Sequence, residues 1–210
     1  MGYRGGLYPE TGLVAVKAPV FSFGKLLDVD VSLGPEMKST GEVLGVDKDL
    51  PVALFKALLA SGTEFPKQGT VLATIADRDK EEALPVIQGL VELGYKVCAT
   101  RGTAGFLQSR GIAVETVNKV NEGGETIVDL IKANRINLVI NTISRGKDPW
   151  RDGFKIRRSA VEHGIPCLTS MDTAWVMLEV LYGIQEGEVP DLIPLQNYLD
   201  NRRKNLPRRE

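Results

Sequence analysis

Short apolar runs alternate with amphipathic stretches five times after residue 65, and this rhythm constrains the fold more than any other feature of the chain. A short apolar run predicts a buried strand, whereas apolar residues at helical spacing predict a helix. The five predicted strands are residues 70–76, 95–99, 114–117, 138–140 and 166–168. Strands that alternate with helices are joined by right-handed crossovers and form a parallel sheet covered on both faces. We therefore predict an α/β fold, a Rossmann-like three-layer sandwich with a five-stranded parallel sheet.

The helices between these strands carry recognisable start and stop signals. The first begins near Asp79, which together with Glu82 fits an acidic variant of the capping box, and it ends at Gly94. The others are predicted at residues 103–109, 126–133, 153–163 and 172–182.

The first 64 residues have a different texture. Residues 1–45 contain apolar patches broken by Gly and Pro, which predict strands and turns. Asp49 is placed to cap a helix that stops at Gly62, and residues 61–69 have the composition of a linker. We expect a short mixed strand and helix segment in residues 1–64, followed by the sandwich and a C-terminal tail in residues 65–210.

Composition restricts the class of protein. A content of 43% hydrophobic and 25% charged residues is that of a soluble globular chain, and the net charge of -1 argues against nucleic-acid or membrane partners. No apolar run approaches the length of a membrane span. Cys98 and Cys167 lie in apolar contexts, so we expect reduced core thiols and a cytoplasmic location.

The carboxyl ends of the predicted strands share hydroxyl, amide and basic residues. Ligands of parallel α/β sheets bind at this edge. Thr100 and Thr103 open a helix whose backbone N–H groups can surround an anion, and Lys80 and Lys119 supply charge from neighbouring loops. Each residue alone is better explained by helix capping or a solvated surface. Together they predict a pocket for a phosphomonoester.

The same pattern gives no catalytic assignment and no metal site. His163 is the one histidine, and it falls at a predicted helix C-terminus, where it suits the helix dipole. The acidic pair Glu81 and Glu82 is expected on an exposed helix face. A phosphate pocket without an evident acid–base pair indicates binding rather than turnover.

Seven short segments of the sequence, in two groups, resemble a known family. Residues 16–23 (VKAPVFSF) and 33–45 (LGPEMKSTGEVLG) resemble the end of the second ATP-grasp unit of the carbamoyl phosphate synthetase large subunit. Residues 76–80 (ADRDK), 99–103 (ATRGT), 117–120 (VNKV), 140–142 (INT) and 156–160 (IRRSA) resemble its C-terminal allosteric domain, which has the methylglyoxal synthase-like fold.

The resemblance implies a regulatory function. The chain would be the allosteric part of the large subunit of glutamine-hydrolysing carbamoyl phosphate synthetase, binding a UMP- or IMP-type nucleotide to tune synthesis for pyrimidine and arginine production. Its partners would be the rest of the large subunit and the glutamine amidotransferase small subunit. ATP and Mg²⁺ or Mn²⁺ would be held by the synthetase half, with no cofactor in this chain.

The resemblance also implies effector contacts at particular positions. They are Thr74, Lys80, Thr100, Thr103, Lys119, Val120, Asn141, Asp152 and Ile156. Ile143, Asn121 and Gly124 depart from the residues that are common at their positions, so the identity of the nucleotide stays open. Thr169 matches an ornithine contact of some members, but Ala18 replaces the acidic residue that accompanies it.

The implied mechanism is linkage between two ligand sites. The loop of residues 34–45 and the helix of residues 49–59 are the expected mechanical link between the nucleotide site and the synthetase half. The alternatives are a stand-alone methylglyoxal synthase-like enzyme acting on a small phosphorylated substrate, or an interaction module with a vestigial pocket. Whether the chain is an excised fragment or a split subunit, and its oligomeric state, stay open.

Overall fold

The computed structural model describes residues 12–21, 37, 39–142, 149–185, 193–194 and 196–197, with only the backbone for residues 149–151. The strands in this part of the chain are β1 (Val14–Phe21), β2 (Ser39–Asp47), β3 (Thr70–Thr74), β4 (Lys96–Thr100), β5 (Glu115–Val117), β6 (Leu138–Asn141) and β7 (Cys167–Leu168). The helices are α1 (Leu50–Ala60), α2 (Lys80–Glu92), α3 (Arg101–Ser109), α4 (Ile127–Lys132), α5 (Pro149–Glu162) and α6 (Met171–Gln185). A single 3-10 turn, Asp77–Asp79, precedes α2.

The five strands from β3 onward form one parallel sheet in the order β5-β4-β3-β6-β7, which confirms the predicted fold class. Strand β3 is central, and Leu72 stands beside Cys98 on one side and Val139 on the other. Because helices cover both faces, the three middle residues of the central strand, Val71, Leu72 and Ala73, are all buried and apolar rather than alternating.

Successive residues of the central strand pack into opposite layers. Val71 and Ala73 contact the cluster that contains α2, α3 and α6, whereas Leu72 packs with Cys98 and the residues of α4 and α5. This two-residue alternation produces the three-layer sandwich.

The capping box predicted for α2 is wrong. Asp79 stands at the N-cap, but it is part of the 3-10 turn and has helical backbone angles, so its side chain caps no backbone N–H group. A capping carboxylate acts from an extended backbone. Asp79 instead accepts a hydrogen bond from Arg78 Nε at 3.1 Å. A capping box is present instead at the start of α4, where it is formed by Thr126 and Asp129.

The first described segment is a two-stranded antiparallel ribbon with one helix. β1 pairs with β2, and α1 packs on one face of the ribbon. The prediction of a loop over residues 34–45 is wrong for residues 39–45, which belong to β2; residues 34–36 and 38 lie outside the described part. β2 has a largely polar and exposed sequence, so it lacks the apolar run from which strands were predicted.

Helix α1 joins the ribbon to the sandwich. It begins after Asp49 and is followed by Gly62 in a left-handed conformation, as the sequence predicts. The predicted cap is wrong, because the side chain of Asp49 makes no capping hydrogen bond. Phe55 and Leu58 pack against the core of the sandwich, and α1 packs against α6.

Several smaller expectations concern the rest of the chain. Cys98, which is buried, and Cys167, which is half-buried, are not joined in a disulfide. Within the described residues, no helix is both long and apolar enough to cross a bilayer. Ile143 and residues 198–210 of the C-terminal tail lie outside the described residues.

Candidate functional site

A cavity of about 390 Å³ opens at the carboxyl ends of the central strands, and we call it the strand-end cavity. All nine residues that the sequence analysis assigns to an effector site line it, although they come from segments far apart in the chain. They are Thr74, Lys80, Thr100, Thr103, Lys119, Val120, Asn141, Asp152 and Ile156.

The floor of the cavity is a hydrogen-bonded chain of three polar side chains. Asn141 Nδ2 donates to Thr74 Oγ1 at 2.6 Å, and Arg157 Nη1 donates to Asn141 Oδ1 at 3.0 Å. Asn141 and Arg157 are each only 4% exposed. Buried polar groups in proteins are normally hydrogen-bonded. These hydrogen bonds therefore hold the three side chains in place and keep the Arg157 guanidinium at the floor of the cavity.

Two threonine hydroxyls hold the turn that follows β3. Thr103 Oγ1 accepts from the backbone N–H of Ile75 at 3.2 Å, and Thr142 Oγ1 accepts from that of Ala76 at 2.8 Å. Both threonines are buried. The predicted contact residue Thr103 therefore lines the cavity and also braces its wall.

Lys80 brings an ammonium group to the wall at the first residue of α2. Its side chain is 15% exposed, and Nζ donates to the carbonyl oxygen of Gly102 at 2.8 Å. Nζ also lies 2.7 Å from Oδ1 of Asp77, whose side chain is 94% exposed. This hydrogen bond and the charge of Lys80 hold the pKa of the Asp77 carboxyl below its usual value.

The first turn of α3 forms the opposite wall. Thr100 is the N-cap residue with an extended backbone, and its side chain makes no capping hydrogen bond. The first N–H groups of a helix have no acceptor within the helix. A Cβ at Gly102 would lie 3.8 Å from Lys80 Nζ, an ordinary van der Waals distance, so the two residues are close neighbours in this wall.

Lys119 stands on the loop between β5 and α4. Its backbone N–H donates to Glu122 Oε2 at 2.9 Å, while Asn118 Nδ2 donates to the carbonyl oxygen of Gly123 at 2.9 Å. The side chain of Lys119 is exposed, and among the described residues its ammonium makes no ion pair. The loop therefore holds its own backbone in place and presents a cation at the mouth.

The remaining wall combines one carboxylate with apolar side chains. Asn121 Nδ2 donates to Asp152 Oδ1 at 3.1 Å, which ties the loop after β5 to the first turn of α5. Val120 and the buried Ile127 and Ile156 provide a hydrophobic surface beside it. The cavity thus has a cationic, hydroxyl-rich side and a side suited to a flat apolar group with hydrogen-bond donors.

Two residues weighed in the sequence analysis lie away from the cavity. Thr169, the possible ornithine contact, is exposed after β7 and does not line it. His163 follows α5 as expected, and its Nδ1 lies 2.9 Å from the carbonyl oxygen of Ser159. No group of three potential metal ligands occurs among the described residues.

Eight further residues line the cavity without having been assigned to it from the sequence. They are Ile75, Ala76, Asp77, Gly102, Ile127, Thr142, Gly153 and Arg157. Most neighbour an assigned residue, and this proximity is the signal that could have found them. Arg157 also neighbours an assigned residue, Ile156, but the sequence does not predict its burial, because arginine in an amphipathic helix is ordinarily exposed.

Comparison with known proteins identifies one domain. Residues 82–169 match the family described as the MGS-like domain, so the chain contains an MGS-like domain. The crystal structure of ForH is 22% identical over 65% of this chain and 90% of that chain, with a TM-score of 0.42. A methylglyoxal synthase from Elizabethkingia anophelis NUHP1 is 19% identical over 54% of this chain and 79% of that chain, with a TM-score of 0.43.

Proposed function

We propose that the MGS-like domain of this protein is a regulatory domain that binds a nucleotide monophosphate of the UMP or IMP type in the strand-end cavity. The observation that carries the proposal is the convergence of nine residues, assigned from sequence alone, on a single cavity. Their chemistry divides into a phosphate end and a nucleoside end, as such a ligand requires.

The phosphate end is supplied by Lys80, Lys119 and the start of α3. Two ammonium groups complement a dianion, and the helix N-terminus adds backbone donors and a favourable dipole. The hydroxyl of Thr100, which is not used for capping, adds a further donor.

The nucleoside end is supplied by Asp152 and its apolar neighbours. A carboxylate accepts hydrogen bonds from ribose hydroxyls. Asn121 donates to Oδ1 of Asp152, so Oδ2 of Asp152 would accept from the ribose. Val120 and Ile156 suit the faces of a base.

The regulated reaction would be carbamoyl phosphate synthesis for the pyrimidine and arginine pathways. This part of the proposal rests on the resemblance of residues 16–45 to the carbamoyl phosphate synthetase large subunit. The remainder of that subunit would hold ATP and Mg²⁺ or Mn²⁺, and the glutamine amidotransferase subunit would supply ammonia. A nucleotide that favours one docking of the two parts would shift ATP affinity by about 1–3 kcal/mol, the usual size of such coupling.

The contact between the ribbon and the sandwich supports this coupling. Phe55 and Leu58 of α1 are inserted against the core, so the ribbon segment is packed onto the domain that holds the cavity. The position of His163, outside the cavity, favours binding over acid–base catalysis and makes the alternative of a stand-alone enzyme less suitable.

Calorimetric titration with UMP and with IMP tests the binding, with uridine as the control that lacks phosphate. We expect Lys119→Ala to weaken binding by about tenfold or more, the effect of losing one charged hydrogen bond. Lys96→Ala is the matched control, since it removes the same charge from an exposed residue at the opposite end of β4. Equal affinities of wild type and Lys119→Ala, or no binding of either nucleotide, would contradict the proposal.

The regulatory role requires the complete subunit. Addition of the bound nucleotide should change the ATP dependence of carbamoyl phosphate formation, and Lys119→Ala should remove that change while leaving the rate without nucleotide intact. A response that survives Lys119→Ala would assign the regulation to another site.

A further inference from the structure

A side-chain carboxylate of the protein lies beside the proposed phosphate end of the strand-end cavity. Asp77 lines the strand-end cavity, and its Oδ1 lies 2.7 Å from Lys80 Nζ, the same ammonium that faces the proposed phosphate end. The two residues are three positions apart, across the 3-10 turn that leads into α2.

The two partners of this ion pair differ in how firmly they are held. Lys80 is mostly buried, and the carbonyl oxygen of Gly102 fixes its ammonium at 2.8 Å. Asp77 is almost fully exposed, at 94%. An exposed carboxylate can rotate into water at little cost, because water replaces its hydrogen bond. The ammonium therefore stays in the wall when Asp77 leaves it.

We propose that Asp77 is a specificity-determining residue of the cavity, because its carboxylate competes with an anionic ligand for Lys80. The inference rests on the proposed function, since it assumes that the cavity takes an anion. A ligand anion must displace the carboxylate from Lys80 or bind close to a like charge, and either route weakens its binding. An uncharged ligand meets neither obstacle.

The lowered pKa of Asp77 agrees with this arrangement, because it means that the carboxylate keeps its charge beside Lys80 at neutral pH. Lys119 has no comparable competitor among the described residues: its ammonium makes no ion pair there, and Glu122 accepts from its backbone N–H instead. Lys119 is therefore available to a ligand at once, whereas Lys80 becomes available by exchange.

Calorimetry on three proteins tests the inference: the wild type, Asp77→Asn and Asp79→Asn. The ligands are inorganic phosphate, UMP and uridine. Asp77→Asn removes the competing charge, and we expect it to tighten binding of phosphate and UMP by about two- to fivefold, the range for release of an exposed ion pair. Asp79→Asn removes the same charge two residues away, from a side chain that does not line the cavity, and should leave both affinities unchanged.

The outcomes separate this inference from the proposed function. Binding of UMP by the wild type with no gain, or a loss, in Asp77→Asn overturns the role of Asp77 alone. An equal gain in Asp77→Asn and Asp79→Asn also overturns it, since that result reflects net charge only. Absence of binding in the wild type and in Asp77→Asn overturns both proposals. Uridine affinity that rises with Asp77→Asn would likewise contradict competition between anions.

Discussion

Arg157 donates to Asn141 Oδ1 at 3.0 Å in the interior of the protein, where both side chains are only 4% exposed. Asn141 passes the connection on to Thr74, to which its amide nitrogen donates at 2.6 Å. One asparagine therefore links the ends of β3 and β6 to α5. An amide suits this place because it both donates and accepts.

Replacing Asn141 by alanine should destabilise the protein. The buried Arg157 guanidinium loses this acceptor and Thr74 loses its donor, so we expect the free energy of unfolding to fall by about 1–3 kcal/mol. Urea unfolding measures the change. Asn121→Ala is the control, since that asparagine is exposed and its removal should stay within about 0.5 kcal/mol of wild type. Equal losses of unfolding free energy in the two variants would show that the buried hydrogen bonds of Asn141 add no particular stability.

Asn121 should matter for ligand recognition rather than for folding. It holds Asp152 Oδ1 at 3.1 Å, and in the proposed complex that carboxylate faces the ribose. Asn121→Ala should weaken UMP binding by about two- to tenfold, the effect of losing one hydrogen bond that orients a contact. Binding of dUMP, which lacks the 2′-hydroxyl, should fall less. The calorimetric affinity ratio of UMP to dUMP is the readout, and an unchanged ratio would contradict this role of Asn121.

Gly45 should resist substitution because α1 passes directly over it. A Cβ at this position would lie 2.0 Å from the carbonyl oxygen of Ala53 and 2.5 Å from the backbone nitrogen of Ala57. Gly45→Ala must push α1 away, and we expect a loss of about 1–3 kcal/mol in unfolding free energy, as for overpacked cores. Gly41 lies on the same strand with open space around it, so Gly41→Ala is the matched control. Urea unfolding should therefore give a lower unfolding free energy for Gly45→Ala than for Gly41→Ala, and equal values would contradict the close approach of α1.

Stability should decline in acid through the pair of Asp47 and Lys56. Lys56 is 9% exposed, and its Nζ donates to Asp47 Oδ2 at 2.6 Å. Burial alone would raise the pKa of Asp47, but the hydrogen bond and charge of Lys56, with backbone N–H donors of Lys48 and Asp49, lower the pKa below its ordinary value overall. A lowered pKa gives stability that is present above the unfolded-state value and is lost as the pH falls through the folded-state value.

Asp47→Asn measures the size of this contribution. Its unfolding free energy in urea should lie about 1–3 kcal/mol below wild type at pH 7, and the difference should shrink as the pH drops below about 4. Glu42→Gln is the control, because the pair of Glu42 with Lys17 is exposed on both sides. A difference between wild type and Asp47→Asn that does not vary with pH would contradict the assignment.

The two thiols should differ in reactivity. Burial, with a smaller effect of the Glu115 charge, raises the pKa of Cys98 to about 12, and Cys98 is 1% exposed. The thiolate is the reactive form, so Cys98 should stay unmodified in the native protein. Ellman's reagent at pH 8 should modify the half-buried Cys167 first and Cys98 only after denaturation. Cys167→Ser should then show no native reaction, and a fast reaction in that variant would overturn the assignment.

Asp152 and Ile156 were assigned from the family resemblance alone, but the sheet and the strand-end residues of the cavity follow from the sequence for one physical reason. Buried parallel strands must be apolar, and the residues that directly follow them are carried to one edge of the sheet. Thr74, Thr100 and Asn141 therefore meet in the structure although they belong to three strands. The strand β2 escaped prediction because its exposed face is polar.

The contacts that control the cavity were beyond sequence reasoning. The contact of Asn121 with Asp152 joins residues 31 positions apart, and no local sequence pattern predicts it. The hydrogen bond from the buried Arg157 to Asn141 joins residues 16 positions apart. The pairing of Asp77 with Lys80 depends on a 3-10 turn where the sequence predicted a capped helix start.

Because β3 is the central strand, binding of a ligand in the cavity should stabilise the whole domain against unfolding. Thr74 and Asn141 are 67 residues apart, and they meet only when β3 is paired with β6, so the cavity is absent from any partly folded chain that lacks this pairing. Occupancy of the cavity is thus linked to global unfolding, and a ligand at 100 times its Kd adds about 2.7 kcal/mol to the stability of the fold. The melting temperature should consequently rise with ligand concentration, which makes thermal denaturation a direct screen for the molecules that this cavity accepts.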